Sequence, residues 1–420
     1  MRRTMLAAMA AAMASGGLAC GVPFGGAARA GDLTFWTWRQ EDRSQYAQLF
    51  ADFNKLHPEV KIKYEAFEPQ SYGTVLSTAL AAGKGPDVIH VRAYGGLEQF
   101  SRAGYLLPLD PTAIPELGNF DGTALASVSQ RSDGRPYAVP FASQTLGLFY
   151  NTEIFQRLGL KPPTTWDELI QTGKALKEKN VVPLANGMAT AFMVEIFASV
   201  FTGSYLGSDF VQDMLAGRAT FSDPRYVAAL GKLTELRDLL PPGFMGVDYA
   251  TMQQLFLSGR AAMFAGGSFE IANFRRQNPG LKMDFVAPPA PAAGQSQLVS
   301  VFYDGGYAIN AKTANQADAV KLVRYMSTKA FGDRFSALLG NISPIRDVQI
   351  EDALLAKVAR LNQQSLPYIM AVHFRYQDPT GSTLLQGGVQ RLMGGQATAA
   401  QVGDEITKGI ATYFVPFQNR

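Results

Sequence analysis

The sequence predicts an α/β protein in which helices cover both faces of a doubly wound sheet. Strand-like and helix-like stretches alternate over residues 32–103, and a second strand–helix unit starts at Gly306. Such alternation is typical of doubly wound sheets. The chain has 420 residues, which is enough for two domains with separate cores.

The first part of the pattern has three strands, each followed by a helix. Strands are predicted over 32–38, 60–67 and 88–92, and helices over 43–57, 72–82 and 97–103. In the first helix, apolar residues from Tyr46 to Leu56 recur at helical spacing, and Pro58 ends it.

The later elements follow from turn and cap signals. Thr165 and Glu168 form a capping-box pattern that starts a mainly helical tract reaching about Leu257. We expect breaks in this tract at Gly203, at Pro224 and at 241–242. Further strands are predicted over 137–140, 146–150, 261–265 and 306–310, with new helices opening at 266–268 and after residue 310.

The N-terminus resembles a cleavable export signal. Arg2 and Arg3 precede a short apolar stretch, and Ala28-Arg29-Ala30 matches an A-x-A cleavage site. We therefore expect residues 1–30 to be a signal peptide for export to the periplasm. Lipid attachment at Cys20 is the alternative.

Composition excludes several classes of function. Removing residues 1–30 takes away three arginines and no acid, so the 38 Lys and Arg fall to 35, against 35 Asp and Glu. No basic run remains for nucleic acid. Cys20 is the only cysteine, so the mature chain cannot rely on disulfides. His57, His90 and His373 lack metal-ligand spacing, and we predict no cofactor. His57 is expected to close a helix and His90 to be buried in a strand.

Candidate ligand-binding residues follow the first strand. Ligands of α/β sheets bind beyond the carboxyl ends of the strands. There Trp38 would face the crevice and stack on a sugar ring, beside the polar Arg39 and Gln40, unless it is a core residue of a sheet covered on both faces. We expect Trp36 to be a core residue, and Trp166 to be core or to pack at a helix start.

Three further segments meet the same positional rule. Arg92 and Tyr94 follow the third strand, where a plain surface turn is the alternative. Gly267, Ser268 and Phe269 would present backbone N–H groups at a helix start, unless Ser268 is simply its N-cap. Asp304, Gly305 and Gly306 would let a ligand approach closely, unless they form an ordinary turn.

The chain carries, in this order, the stretches LTFWTW, FADFNKLHPEVKIKYE, ALAAGKGPDVIHV, LEQFSRAGYLLPLD, GRPYAVPFASQTLGLFYNTEIFQRLGL, PPTTWDELI, FLSGRAAMFAGGSFE, GGYAIN and SPIR. In these motifs and their order it resembles the extracellular solute-binding proteins of ABC importers, in the sugar-binding family that includes maltose-binding protein. The resemblance implies a periplasmic-binding-protein fold, with two α/β lobes around a ligand cleft and several hinge crossings. It implies an N-terminal lobe of 31–141 plus 306–345 and a C-terminal lobe of 146–301 plus 349–420.

The resemblance also assigns residues by position. It places Trp38 and Arg39 in a ligand loop, and Phe141, Ser143 and Gln144 in the segment that leaves the first lobe. It places Phe269 where relatives stack an aromatic on a sugar, and residues 304–306 in the return crossing. Arg346 follows the family's proline near the cleft, and Arg375 lies in a region where relatives often carry an aromatic residue.

The predicted function is therefore binding without chemistry. We expect a monomer that captures a sugar or oligosaccharide by hinge closure and delivers it to an ABC-type membrane permease. Because Arg39, Arg92, Arg346 and Arg375 are all candidates, glycerol phosphate or another anionic polyol is an alternative ligand. An exported glycoside hydrolase is the alternative from another class.

Overall fold

A computed structural model describes residues 32–69 and 71–418. The predicted signal peptide and Cys20 lie outside the described residues. The predicted α/β fold class is confirmed, with strands and helices distributed over two sheets.

Strands and helices alternate along most of the described chain. The strands are β1 Asp32–Thr37, β2 Lys61–Ala66, β3 Val88–Val91, β4 Ala138–Pro140, β5 Ser143–Asn151, β6 Val182–Leu184, β7 Ala261–Gly267, β8 Met283–Val286, β9 Val299–Tyr303, β10 Gly306–Ile309 and β11 Ser365–Pro367. The helices are α1 Arg43–Leu56, α2 Tyr72–Ala81, α3 Gly95–Arg102, α4 Gly122–Ser127, α5 Thr152–Arg157, α6 Trp166–Glu178, α7 Ala191–Leu215, α8 Pro224–Lys232, α9 Tyr249–Leu257, α10 Glu270–Gln277, α11 Gln316–Tyr325, α12 Lys329–Leu339, α13 Ala353–Leu361, α14 Ile369–His373, α15 Gly381–Met393 and α16 Ala399–Ala411.

The first sheet has the strand order β2-β1-β3-β10-β4. β1 runs parallel to β2 and β3, whereas β10 is antiparallel to β3 and β4. Side chains alternate between two cores. Tyr307 and Ile309 pack with α1, α11 and α12, while Ala308 packs with α2 and α3. We call this sheet and its helices the first lobe.

The second sheet has the order β11-β9-β5-β7-β6, with β8 also paired to β5. Its core contains side chains from α5 to α10 and from α13 to α16, and we call this assembly the second lobe. The chain passes between the sheets from β4 to β5 and from β9 to β10. A third segment, which follows α12, contacts both lobes. In it Ile345 forms an isolated β-bridge with Phe120 of the first lobe, and Ile342 forms one with Ser143 of β5.

α7 is a long helix of 25 residues with an apolar composition. It is the one helix in 32–69 and 71–418 that is long and apolar enough to cross a membrane, and 61% of its most apolar window is buried inside the protein. A core helix of a soluble domain satisfies the same test.

Several local predictions are confirmed. Thr165 and Glu168 form a complete capping box at the start of α6, and Trp166 is buried. His57 is the C-cap residue of α1, and His90 is fully buried in β3.

Other local predictions are wrong. Gly203 does not break the helical tract, because α7 runs through it and departs from helical geometry only at Gly207. β6 was missed within this tract because it has only three residues. No helix opens at Gly266, since Gly266 and Gly267 end β7 and α10 begins at Glu270 with Phe269 as its N-cap. Leu56 is exposed rather than part of the packed face of α1.

Candidate ligand-binding cleft

The carboxyl ends of β1 and β3 define the candidate site. From β1 the chain leads to β2 on one side and afterwards to β3 on the other, so the strand order reverses between β1 and β3. Open α/β sheets bind ligands beyond such a reversal. The residues that follow these two strands are Trp38–Gln40 and Arg92.

The positions of the two tryptophans are the reverse of the prediction. Trp38 is only 3% exposed, and its indole stacks on His90 with ring centroids 3.8 Å apart. The Arg92 guanidinium lies 3.8 Å from the Trp38 ring centroid. Trp36 instead is half-buried and packs against Phe67. The prediction assumed strand alternation through residue 38, but β1 ends at Thr37, so Trp38 folds inward.

Arg92 and Asp304 join the third strand to the return crossing. Arg92 Nη1 donates to Asp304 Oδ1 at 2.9 Å, and the Asp304 N–H donates to the Ala142 carbonyl at 3.0 Å. Asp304 is thus fixed against both crossing segments, and its side chain is 17% exposed. The pair places one positive and one negative charge at the junction of the lobes.

The glycines after Asp304 serve chain packing. Gly305 has φ of 147°, and a Cβ there would meet the Val91 carbonyl oxygen and lie 3.0 Å from Trp38. Gly306 is the first residue of β10 and faces Val91 and Pro140. These glycines therefore allow the protein's own backbone and Trp38 to approach closely, rather than a ligand.

Arg39 is held by neighbouring carboxylates. Its Nε lies 2.6 Å from Asp42 Oδ2 and 3.2 Å from Glu41 Oε1. Burial lowers its pKa, but the charges of Asp42 and Glu41 outweigh burial, so the net pKa is raised and Arg39 stays charged. Gln40 is exposed at the start of a short 3₁₀ turn.

The second lobe contributes a buried carboxylate that the sequence analysis missed. Glu195 is fully buried in α7. It accepts hydrogen bonds from Arg375 at 3.0 and 3.2 Å, from Ser382 at 2.9 Å and from Gln386 at 2.7 Å. Arg375 also donates to Ser382 at 2.5 Å. A single acid within the apolar run AFMVEIFASVF was the available signal, because a buried charge requires partners.

A second missed group surrounds Glu270. This fully buried carboxylate accepts from Gln253 at 3.0 Å, from Asn273 at 3.2 Å and from the Tyr249 hydroxyl. Burial raises the pKa of Glu270, and the bonds from Tyr249, Asn273 and Gln253 and the charge of Arg39 partly oppose the shift. Glu270 follows the end of β7 that pairs with β5 beside the crossing segment, since Gly267 pairs with Leu146.

Four predicted residues are engaged inside the protein. Phe141 is a buried core residue in contact with His90 and Tyr307. Gln144 donates to Asn341 at 2.9 Å and accepts from the Ser268 hydroxyl at 2.7 Å. Ser268 therefore does not cap α10. The Gly267 Cβ position is filled by the ring of Phe269, which packs partly buried on the second core.

A different space, which we call the rear cavity, is lined by Tyr94, Ser143 and Arg346. It measures about 1160 Å³, and Tyr303 also lines it. Tyr303 and Ser143 line it, whereas the adjacent Asp304 and Gln144 do not. Since neighbouring side chains of an extended segment point to opposite sides, this cavity lies across the crossing segments from the Arg92–Asp304 pair.

Contacts between the lobes lie beside the rear cavity. The Tyr94 hydroxyl accepts from the Tyr303 N–H at 3.1 Å. Arg131 donates to the Val372 carbonyl at 3.0 Å and lies 3.3 Å from the Tyr376 ring centroid. Arg346 donates to the Gly118 carbonyl. The predicted site residues thus separate into three groups: those engaged inside the protein, those that line this cavity, and the charged residues Arg39, Arg92, Asp304 and Arg375. We call these charged residues and their partners Glu41, Asp42 and Glu195, together with Glu270, the polar cleft.

Comparison with known proteins identifies the class. The model of the bacterial extracellular solute-binding protein family matches residues 37–332, more than half of the chain. The chain belongs to this family, and it therefore acts in the periplasm or outside the cell.

Relatives and solved structures agree with this assignment. The chain is 24% identical over 329 residues to the multiple sugar-binding protein of Streptococcus mutans, covering 76% of each. It is 27% identical over 268 residues to the maltotriose-binding protein of Pyrococcus abyssi, covering 62% of this chain and 54% of that protein. These relatives are named as binding proteins and not as enzymes.

Two solved structures share the fold. A bacterial solute receptor described as preferring β-D-galactopyranose superposes with a TM-score of 0.80 at 18% identity, covering 92% of this chain and 100% of the other. A chitin oligosaccharide binding protein gives 0.77 at 21% identity, with 91% and 99% covered. At these identities the likeness shows the periplasmic-binding-protein fold alone.

Proposed function

We propose that this chain is the substrate-binding component of an ABC importer, which captures an uncharged sugar or oligosaccharide and delivers it to a membrane permease. The family and the names of its relatives support transport rather than hydrolysis. The choice of an uncharged ligand rests on the charge pairing within the polar cleft.

Every arginine of the cleft has a partner. Arg39 pairs with Asp42 and Glu41, Arg92 with Asp304, and Arg375 with Glu195. With Glu270 included, these three cations face five carboxylates. An anionic ligand would meet this excess of acids, whereas sugar hydroxyls can both donate to carboxylates and accept from guanidinium groups. Glycerol phosphate is therefore disfavoured as the ligand.

Hinge closure is the proposed mechanism of capture. We propose lobes of 31–141 plus 306–345 and 146–301 plus 349–420, with the segments between them as the hinge. Separate sheets and cores support this division, as does the pairing of β10 with β3 and β4. Arg92 and Arg39 would approach the ligand from one lobe, and Arg375, Glu270 and Phe269 from the other.

Ligand screening tests the proposal. We would melt the purified protein with neutral mono-, di- and trisaccharides, with glucuronate and galacturonate, and with glycerol 3-phosphate. A ligand at a hundred times its Kd should stabilise the fold by about 2.7 kcal/mol. Stabilisation by the anions alone would overturn the uncharged-ligand proposal. Hydrolysis of an oligosaccharide during incubation would instead favour the glycosidase.

We also propose export by a cleaved signal and a monomeric mature protein that starts at Gly31. Intact-mass measurement and light scattering of the exported protein check both statements. A diacylglycerol mass on Cys20 would overturn the first.

A further inference from the structure

The rear cavity is large enough to hold a small molecule. Its volume is about 1160 Å³, and small-molecule sites in proteins measure roughly 300–1000 Å³ and are lined mainly by apolar side chains. Both lobes contribute to its wall, since Leu125 belongs to α4, Val211 to α7 and Leu366 to β11. A molecule bound there would therefore contact both lobes, on the side of the crossing segments away from Asp304.

The inner wall of the rear cavity is apolar. Val211, Ile342, Ile345 and Leu366 line it, although each is no more than 6% exposed, so they form its deeper part. Tyr94 adds an aromatic ring that is also buried. This part of the wall suits the apolar body of a ligand.

Two arginines also line the cavity, and neither forms an ion pair within the part of the chain that the structure describes. Arg131 donates to the Val372 carbonyl at 3.0 Å and lies over the Tyr376 ring. Arg346 donates to the Gly118 carbonyl. Because main-chain carbonyls are neutral, these bonds leave both positive charges uncompensated. Both arginines are exposed, so they lie where the cavity opens to solvent.

The remaining titratable groups do not balance this charge. Asp121 is the one acid among the described residues that line the cavity, and its Oδ1 already accepts from the Ala124 N–H at 2.7 Å as the N-cap of α4. His373 also lines the cavity, and burial and then the charge of Arg131 lower its pKa to about 4, so it is neutral at pH 7. The rear cavity thus has a positive opening, whereas acids outnumber arginines in the polar cleft.

We propose that the rear cavity binds a small amphipathic carboxylate, with its carboxylate on Arg131 and its apolar body against the inner wall. A guanidinium stacked on a ring keeps its N–H donors in its own plane, where a carboxylate can meet them. Arg346 contributes a second positive charge at the opening. This site goes beyond the proposed sugar capture and does not depend on it.

Calorimetric titration of the exported protein at pH 7.5 tests the site. The probes are octanoate, hexanoate, 1-octanol and acetate. Hexanoate should bind about tenfold more weakly than octanoate, because two buried CH₂ groups are lost. 1-Octanol should also bind about tenfold more weakly, because it lacks the charge that Arg131 recognises. Acetate, which has no apolar body, should show no measurable binding.

Variants assign the binding to the rear cavity. Arg131→Gln should weaken octanoate binding by about tenfold, and Arg346→Gln by less, since Arg131 makes the charge-assisted hydrogen bonds. Neither variant should change the binding of 1-octanol. Arg276→Gln is the matched control, because Arg276 is an exposed arginine of α10 that does not line the cavity. Thermal melting of each variant checks that it is folded.

Four results would overturn the site. Octanoate does not bind, or Arg131→Gln binds it as tightly as Arg276→Gln does. 1-Octanol binds as tightly as octanoate, so that the carboxylate is not recognised. Arg92→Ala weakens octanoate binding as much as Arg131→Gln does, which would place the probe in the polar cleft. None of these results bears on sugar capture, which the screen with neutral sugars tests separately.

Discussion

The two sides of the crossing segments differ in chemistry. On the cleft side, Arg92 pairs with Asp304 and Arg375 pairs with Glu195. On the rear side, the residues that line the cavity include Tyr94, Tyr303, Val301, Ile342 and Leu366. One side is suited to a ligand with many hydroxyl groups, and the other is mainly apolar.

The difference teaches that two residues of the same crossing segment can serve opposite sides, because adjacent side chains of an extended segment point in opposite directions. Tyr303 and Asp304 are adjacent, yet one lines the rear cavity and the other pairs with Arg92. Ser143 and Gln144 divide in the same way, with Gln144 turned into the protein. The four predictions below break or sharpen this comparison, in order of decreasing effect.

The largest effect is expected from Trp38→Ala. The indole is buried against His90 beneath Arg92, so its removal leaves a cavity under the cleft and should cost about 3–5 kcal/mol of unfolding free energy. Trp36→Ala should cost less than half as much, because Trp36 is only half-buried. Urea unfolding of both variants measures the difference. Equal losses would show that Trp38 is no more part of the core than Trp36.

Trp36 and Trp38 also show how much of the fold can be predicted from the sequence. Helical spacing, Pro58 and the capping box at Thr165 predict where α1 and α6 begin or end, since these signals are local. The inward turn of Trp38 depends on where β1 ends and on the His90 ring, which is 52 residues away. Likewise Arg375 could be chosen from its place in the chain, but its partner Glu195 is 180 residues distant. The acid within AFMVEIFASVF indicates that Glu195 needs a partner, but which distant residue supplies that partner follows from the tertiary fold.

The second prediction concerns Glu195→Gln. The substitution removes the charge that balances Arg375 while keeping the size of the side chain. Losing a partner from a fully buried pair costs about 3–5 kcal/mol, and we expect about 2–3 kcal/mol here because Arg375 stays 38% exposed. Calorimetry should also show stronger binding of glucuronate, because one positive charge in the cleft is no longer compensated.

A surface ion pair provides the control for Glu195. Glu405 pairs with Arg391, and both side chains are more than 40% exposed. Glu405→Gln should therefore cost less than about 1 kcal/mol. If Glu195→Gln cost as little, the charge pairing of the cleft would be a surface property and the comparison between the two sides would weaken.

The third prediction tests the rear side through pH. Burial, and then the charge of Arg131, lower the pKa of His373 from 6.5 to about 4. Because the unfolded chain binds this proton more tightly, His373 stabilises the fold fully above about pH 6.5 and progressively less as the pH falls towards 4. His373→Gln should flatten the loss of stability between pH 7 and 5. An unchanged slope for His373→Gln would refute the depressed pKa.

The smallest effect is expected from Tyr94→Phe. The change removes the hydroxyl that accepts the Tyr303 N–H and leaves that donor without this partner, at a cost of about 1 kcal/mol. The backbone of residue 94 and its ring are retained, so the cavity wall keeps its shape. Sugar affinity should stay within twofold of the wild type, because Tyr94 faces the rear cavity, whereas Arg92→Ala, two residues away, should weaken binding by about tenfold through the loss of charge-assisted hydrogen bonds. If Tyr94→Phe weakened the ligand while Arg92→Ala did not, the rear cavity and not the polar cleft would hold the sugar, and the two sides would exchange roles.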